Sequence, residues 1–131
     1  MIVAIADTHT LVWALFGDKR LSPAARTALT VSGENKVGAS AISLAEIVYL
    51  EEKRRLPDGT FARVVAALAD PAGSLEEIPV DAAVVQAMAR IPRSSIPDLP
   101  DRIIAATASQ LGVPVVSRDG KIRDSQITTI W

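Results

Sequence analysis

The sequence predicts an α/β fold: a three-layer α/β/α sandwich on a mainly parallel sheet, in one domain spanning residues 1–131. Three observations predict it. Short apolar, β-branched runs alternate with longer segments of helical spacing, as in successive βαβ units. Hydrophobic residues make up 49% of the chain and aromatics only 4%, so Ala, Val, Ile and Leu must build the core. A chain of 131 residues is long enough for one domain with a substantial interior.

Each element has a local reason. Residues 2–6, Ile-Val-Ala-Ile-Ala, form a continuous apolar run and predict a buried strand. Thr8 to Phe16 has helical spacing and stops at Gly17. A second helix opens with Ser22 as N-cap and Pro23 at the first helical position, closing near Gly33. "KVGAS" predicts a strand, and Ser43 to about Arg55 a helix broken by "LPDG". Thr60 to Asp70 predicts another helix, stopped by Pro71-Ala72-Gly73. A strand is expected over Glu77–Val80, and Asp81 caps a helix running to Ile91. "IPRSSIPDLPDR" predicts a proline-rich loop leading into a helix from Leu99 to Leu111, ended by Gly112. "VPVVS" is a strand, "RDGKIRD" a turn or short helix, and "ITTIW" an edge strand. Strands alternate with helices along this order, and the connections allow right-handed crossovers.

Composition excludes several chemistries. With no cysteine there is no disulfide, no thiolate metal site and no cysteine nucleophile, which suits the cytoplasm. The N-terminal residues lack a basic leader, and Asp7 interrupts their short apolar run, so they do not read as a secretory signal. No apolar stretch reaches the length of a transmembrane helix, and no membrane partner is expected. The net charge of −1 gives no global attraction to nucleic acid, so such a partner needs local cations or metal ions. No glycine-rich phosphate loop and no nucleophile elbow is present. The single histidine, His9, stands in "DTH", but position 11 is Leu and no second histidine completes a metallohydrolase pattern. His9 is therefore assigned to the helix surface or the rim of a cleft.

The acids carry the signal. In open α/β sheets, ligands collect at the carboxyl ends of the strands. Asp7 follows the first strand directly, Glu46 comes shortly after "KVGAS", Asp101 lies in the first turn of the Ala-rich helix, and Asp119 follows "VPVVS" by two residues. Asp98 is a fifth candidate. Each also has a structural reading. Asp7 and Asp98 suit N-caps, Ser43 with Glu46 suits a capping box, Asp101 answers a helix dipole, and Asp119-Gly120 suits a turn. Capping alone does not require every acid to lie at one end of one sheet. Clustered carboxylates repel, and a hard divalent cation such as Mg²⁺ or Mn²⁺ relieves them. Ions held that way suit phosphodiester hydrolysis.

Four ordered segments, "IADTHTLVW", "SAISLAEI", "PDLPDRIIAATA" and "VVSRDGKI", resemble the PIN-domain family, specifically its VapC-type toxins of bacterial toxin–antitoxin systems. The resemblance covers nearly the whole chain. It implies a metal-dependent endoribonuclease that cleaves cellular RNA and inhibits translation. Asp7, Glu46, Asp101 and Asp119 match the family's four acidic positions. Asp98 matches the first acid of its D-x-x-D-R pattern, and Ser117 the hydroxyl residue before the fourth acid. Asp7 and Asp101 are then expected to hold the metal, with Glu46 and Asp119 completing the shell or orienting water. Arg102, Arg118, Lys121 and Arg123 lie near the acids in sequence and are candidate phosphate contacts. The run "EEKRRLPDGT" is expected at the tip of a helical hairpin that in the family helps form dimers and grip the antitoxin. A homodimer and an antitoxin tail presenting Arg or Lys to the acids follow from the same resemblance. Two other readings stay open: a non-catalytic binding module of the same fold, and a metal-dependent phosphatase acting on small molecules.

Overall fold

A computed structural model describes residues 1–131. Five strands are present: β1 (Ile2–Ala6), β2 (Lys36–Ser40), β3 (Leu75–Ile78), β4 (Val115–Val116) and β5 (Thr129–Ile130). They form one sheet of order β3-β2-β1-β4-β5, every pairing parallel. Seven helices cover it: α1 (Thr8–Phe16), α2 (Pro23–Leu29), α3 (Ala41–Glu52), α4 (Thr60–Ala69), α5 (Ala82–Ala89), α6 (Leu99–Leu111) and α7 (Gly120–Arg123). Both α5 and α6 lie between β3 and β4, as the two helices predicted there do, so the order is βααβααβααβαβ.

The sandwich follows from side-chain alternation along β1. Ile5 faces one side and packs with Val115, Ile104, Ala105, Ala108 and Ile122, under α6 and α7. Ala6 faces the other and packs with Leu11, Val12, Val37, Ile47 and Val64, under α1, α3 and α4. Ala4 shares that second side with Leu21, Ala25 and Val116, beneath α2. Helix α5 packs on α6 through Val84, Ala87, Ile103 and Ala106. The proline-rich loop is anchored by Ile96, which is fully buried in the α6 core. No helix is long and apolar enough to cross a membrane.

Four boundaries differ from the expectation, each for a local reason. Helix α2 stops at Leu29, and Val31 beyond it packs against the core under α1, α3 and α4. Helix α3 begins at Ala41, because Ser40 ends β2 and its hydroxyl accepts from the Ile42 N–H at 3.2 Å. The same helix ends at Glu52 in a Schellman turn: the Arg54 N–H donates to Glu51 O at 3.0 Å and the Arg55 N–H to Leu50 O at 2.8 Å. The left-handed residue there is Arg54, with φ +57°, where glycine is usual. Strand β3 sits two residues earlier than expected, since Leu75 packs into the core and Pro79 lacks the N–H to continue the ladder. Its exposed Glu76 and Glu77 put charge on the sheet edge, which discourages further strand pairing.

Two substitutions test this architecture. A Cβ on Gly38 would lie 2.6 Å from Ile5 Cδ1 and 3.0 Å from Ile78 Cγ1, and Ile5 is fully buried. Gly38→Ala should therefore destabilise the fold by about 1–3 kcal/mol in a denaturant titration. Arg54→Gly relieves the left-handed turn and should stabilise by up to about 1 kcal/mol in the same titration.

Candidate active site

Strand order reverses between β1 and β4: the chain builds outward through β2 and β3, then returns to the other side of β1. A parallel sheet opens a crevice at that point, beyond the carboxyl ends of the strands. Asp7 leaves β1 there, and Ser117 leaves β4 beside it. A cavity of about 510 Å³ occupies the place, lined by Asp7, Glu46, Asp98, Asp101 and Asp119. All five predicted acids thus converge on one cavity.

Each acid is held by the backbone or by a hydroxyl. Asp7 is 5% exposed and N-caps α1. Its Oδ1 accepts the Thr10 N–H at 3.0 Å, and its Oδ2 accepts the Ser117 hydroxyl from across the sheet. Ser117, fully buried, also accepts the Asp119 N–H at 3.0 Å, so one serine ties two of the acids. Asp119 caps α7, accepting from the N–H groups of Lys121 and Ile122 at 2.9 and 3.2 Å. Asp98 caps α6 by accepting the Asp101 N–H at 3.0 Å, which fixes Asp101 in the first turn. Glu46 is held differently from the expected capping box. Ser40, not Ser43, caps α3, and Ser43 lies buried inside the helix. The Thr8 hydroxyl donates to Glu46 Oε1 at 2.5 Å and lies 3.0 Å from the Ser43 hydroxyl.

The electrostatics of the cavity are adverse to full ionisation. Burial, and then the fields of Asp98, Asp119, Asp7 and Glu46, push the Asp101 carboxyl up to about 7. No three acidic or histidine side chains stand close enough to hold an ion directly between them. The carboxylates surround a wider space, which suits an ion that keeps part of its water shell.

The cations divide into two groups. Arg118 lines the cavity and is exposed. Arg102 is turned away, contrary to expectation: it donates to Ile91 O at 2.9 Å and Met88 O at 3.2 Å, satisfying carbonyls at the end of α5. Lys121 and Arg123 sit in α7 beyond Asp119 and do not line the cavity. His9 is on the rim, as its isolation in the sequence suggested.

Three lining or supporting residues were missed by sequence reasoning. Thr8, which holds Glu46, carried one signal: a hydroxyl directly after Asp7 at the head of a helix. Trp13 also lines the cavity, and its spacing of four from His9 put both on one helical face. Arg20 lines it too, reached through the turn at Gly17, and no local pattern marked it. Its fork is closed on Asp18, with Nε to Oδ1 at 3.0 Å and Nη2 to Oδ2 at 2.7 Å. The Arg20 bond holds the Asp18 carboxyl down at about 2.

A family model, PIN domain, matches residues 4–126. The chain is 28% identical over 134 aligned positions to Ribonuclease VapC22 of Mycobacterium tuberculosis (strain ATCC 25618 / H37Rv), covering all of both chains. Among solved structures it resembles VapBC2 from Rickettsia felis bound to a promoter DNA fragment, with TM-score 0.71 and 18% identity over 98% of this chain and 97% of that one. It also resembles Mycobacterium tuberculosis VapC20, described as a sarcin-ricin-loop-cleaving toxin, with TM-score 0.68 and 19% identity over 95% of this chain and 96% of that one. At those identities the two structures bear on the fold. The family model spans nearly all of this sequence, and on that ground the chain belongs to the PIN-domain family, its full-length likeness lying with VapC-type members.

Proposed function

We propose that the protein is a divalent-metal-dependent endoribonuclease and the toxin of a toxin–antitoxin pair. The observation that carries this reading is the convergence of five carboxylates on one cavity at the sheet's switch point. The full-length similarity to a protein named a ribonuclease supports the choice of RNA over a small phosphate ester.

The donor set fits a hard divalent cation. It is all oxygen, it is crowded enough to raise Asp101, and added positive charge is what the crowding lacks. Asp7 and Asp101 would hold Mg²⁺ or Mn²⁺, with Asp119 and Glu46 near enough in field to complete the shell through water. A bound ion of that kind activates water at neutral pH and offsets phosphate charge. The chain's own groups do the rest. Ser117 keeps one Asp7 oxygen aimed across the sheet, and Thr8 fixes one Glu46 oxygen so that the other is free to orient the attacking water. Arg118 meets a substrate phosphate at the mouth of the cavity, adding a donor fork suited to that group.

The acids also suit an inhibitor. An antitoxin segment presenting Arg or Lys to Asp7, Glu46 and Asp101 would replace the cation electrostatically and block RNA at once. Val48 and Tyr49 on α3 and Val65 on α4 leave apolar surface exposed, which supports a homodimer or antitoxin contact around that helical hairpin.

Asp7→Asn removes a charge from the metal shell at nearly constant volume. It should lower RNA cleavage in Mn²⁺ by about two orders of magnitude or more, the scale of losing a preorganised electrostatic group. Circular dichroism should show the fold retained, and undiminished cleavage would remove Asp7 from the site.

A second expectation concerns pH. Asp101 has a folded-state pKa near 7, above its unfolded value, so the native state binds the extra proton between about pH 4 and 7. Metal-free protein should lose stability as pH rises through that window, and the contribution is fully present only below it. Melting curves should show this slope largely removed in Asp101→Asn, and Mn²⁺ should raise the melting temperature most above pH 7. A metal-free melting temperature flat from pH 4 to 7 would contradict the electrostatic account of the cluster.

A further inference from the structure

The rest of the cavity lining has a composition that hydrolysis alone does not require. Trp13 is the one apolar residue lining the cavity. Part of its ring packs against the core under α2 and edge-on against Trp131 at 5.8 Å. His9 stands one turn earlier on the same face of α1, exposed, with ring centroids 5.8 Å apart. The two rings are inclined by 48°, so neither covers the other's face by stacking.

Two guanidinium groups flank the indole, and they differ in commitment. Arg20 lies 4.7 Å from the ring centroid with its fork closed on Asp18. It holds the indole in place. Arg118 lies 5.8 Å from the same centroid, has no carboxylate partner, and stands in the chain between Ser117 and Asp119. It is a free cation beside the acids.

Charge then decides what this wall does. Five carboxylates repel a polyanion, so without metal the acid side of the cavity contributes nothing attractive to a nucleic acid. The aromatic and cationic wall is the part that can hold a nucleotide. Every base has a π-face, and stacking on aromatic side chains is the common means of gripping unpaired strands. In a duplex those faces are hidden within the stack.

We propose that His9 and Trp13 form a stacking subsite for one unpaired nucleobase next to the scissile phosphate, and that Arg118 swings off the indole to grip the adjoining phosphate, which opens the ring to the base. The inference rests on the ribonuclease reading above and deepens it: His9 and Trp13 set the affinity for the base beside the cut.

The test has a binding arm and a cleavage arm. In a Trp131→Phe background, tryptophan emission reports Trp13 alone, since the chain has two tryptophans. A random-sequence single-stranded oligoribonucleotide of about ten nucleotides should quench that emission in the Asp7→Asn protein. The same strand annealed to its complement should not. His9→Ala, at an exposed position, should weaken the single-strand affinity about 5- to 10-fold, within the range of base–aromatic stacking. Trp13→Leu should weaken it further, but it also disturbs packing, so His9→Ala is the deciding variant. In the cleavage arm, with an RNA cut at a mapped bond, His9→Ala should raise KM by a similar factor with kcat little changed. An abasic nucleotide beside that bond should raise KM in the parent protein and add nothing in His9→Ala. Equal quenching by duplex, or affinity and KM indifferent to His9→Ala, overturns the stacking subsite while leaving the nuclease reading intact. Failure to cleave any RNA in Mn²⁺ overturns the nuclease reading, and the quenching arm then decides the subsite by itself.

Discussion

The site depends on a parallel pairing of two strands that are far apart in sequence. β1 and β4 align Ile5 with Val115 and Ala6 with Val116, which brings Asp7 and Ser117 to the same edge. The hydrogen bond between their side chains closes that edge. Its energetic role is unusual for a buried polar contact, because it stabilises one carboxylate within a group of five that repel. The remaining acids are tolerated by a related device. Asp7, Asp98 and Asp119 each accept backbone N–H groups at the head of a helix, where the dipole favours negative charge.

Structural and chemical readings of these residues are therefore the same geometry seen twice. A helix that begins at the carboxyl end of a strand needs a cap, and an acid serving as cap is automatically presented to the crevice. Asp101 shows where the device runs out. The Asp98 carboxylate fixes its backbone but adds repulsion to its side chain, and its carboxyl is the one pushed up to about 7. Coulombic crowding of this kind favours a multivalent cation over a monovalent one.

Sequence reasoning found the acids because each sat at a strand end or helix start, and the strand and helix types were readable from periodicity. It found the α/β/α layering for the same reason. It misplaced the head of α3 because Ser43-x-x-Glu46 imitates a capping box, whereas Ser40, at the strand's last residue, takes the cap. It assigned Arg102 to the substrate because adjacency to Asp101 in sequence says nothing about direction; on a helix, neighbouring residues point about 100° apart. Here that rotation sends the guanidinium to the end of α5. Arg20 escaped notice because its place arises from the turn at Gly17, which folds the chain back so that it meets the Trp13 indole. Tertiary contacts of this kind leave no local pattern.

The bond between Ser117 and Asp7 spans 110 positions of the chain. Such a contact can close only after most of the sheet has been laid down, since its strands are joined by crossovers and not by hairpins. During synthesis Asp7 is made well before Asp98, Asp101 and Asp119. A partly made chain therefore carries Asp7 and Glu46 before the other three acids exist. For a protein proposed to cut RNA, an acid cluster so divided along the sequence is incomplete until the strands on both sides of the switch point have been made.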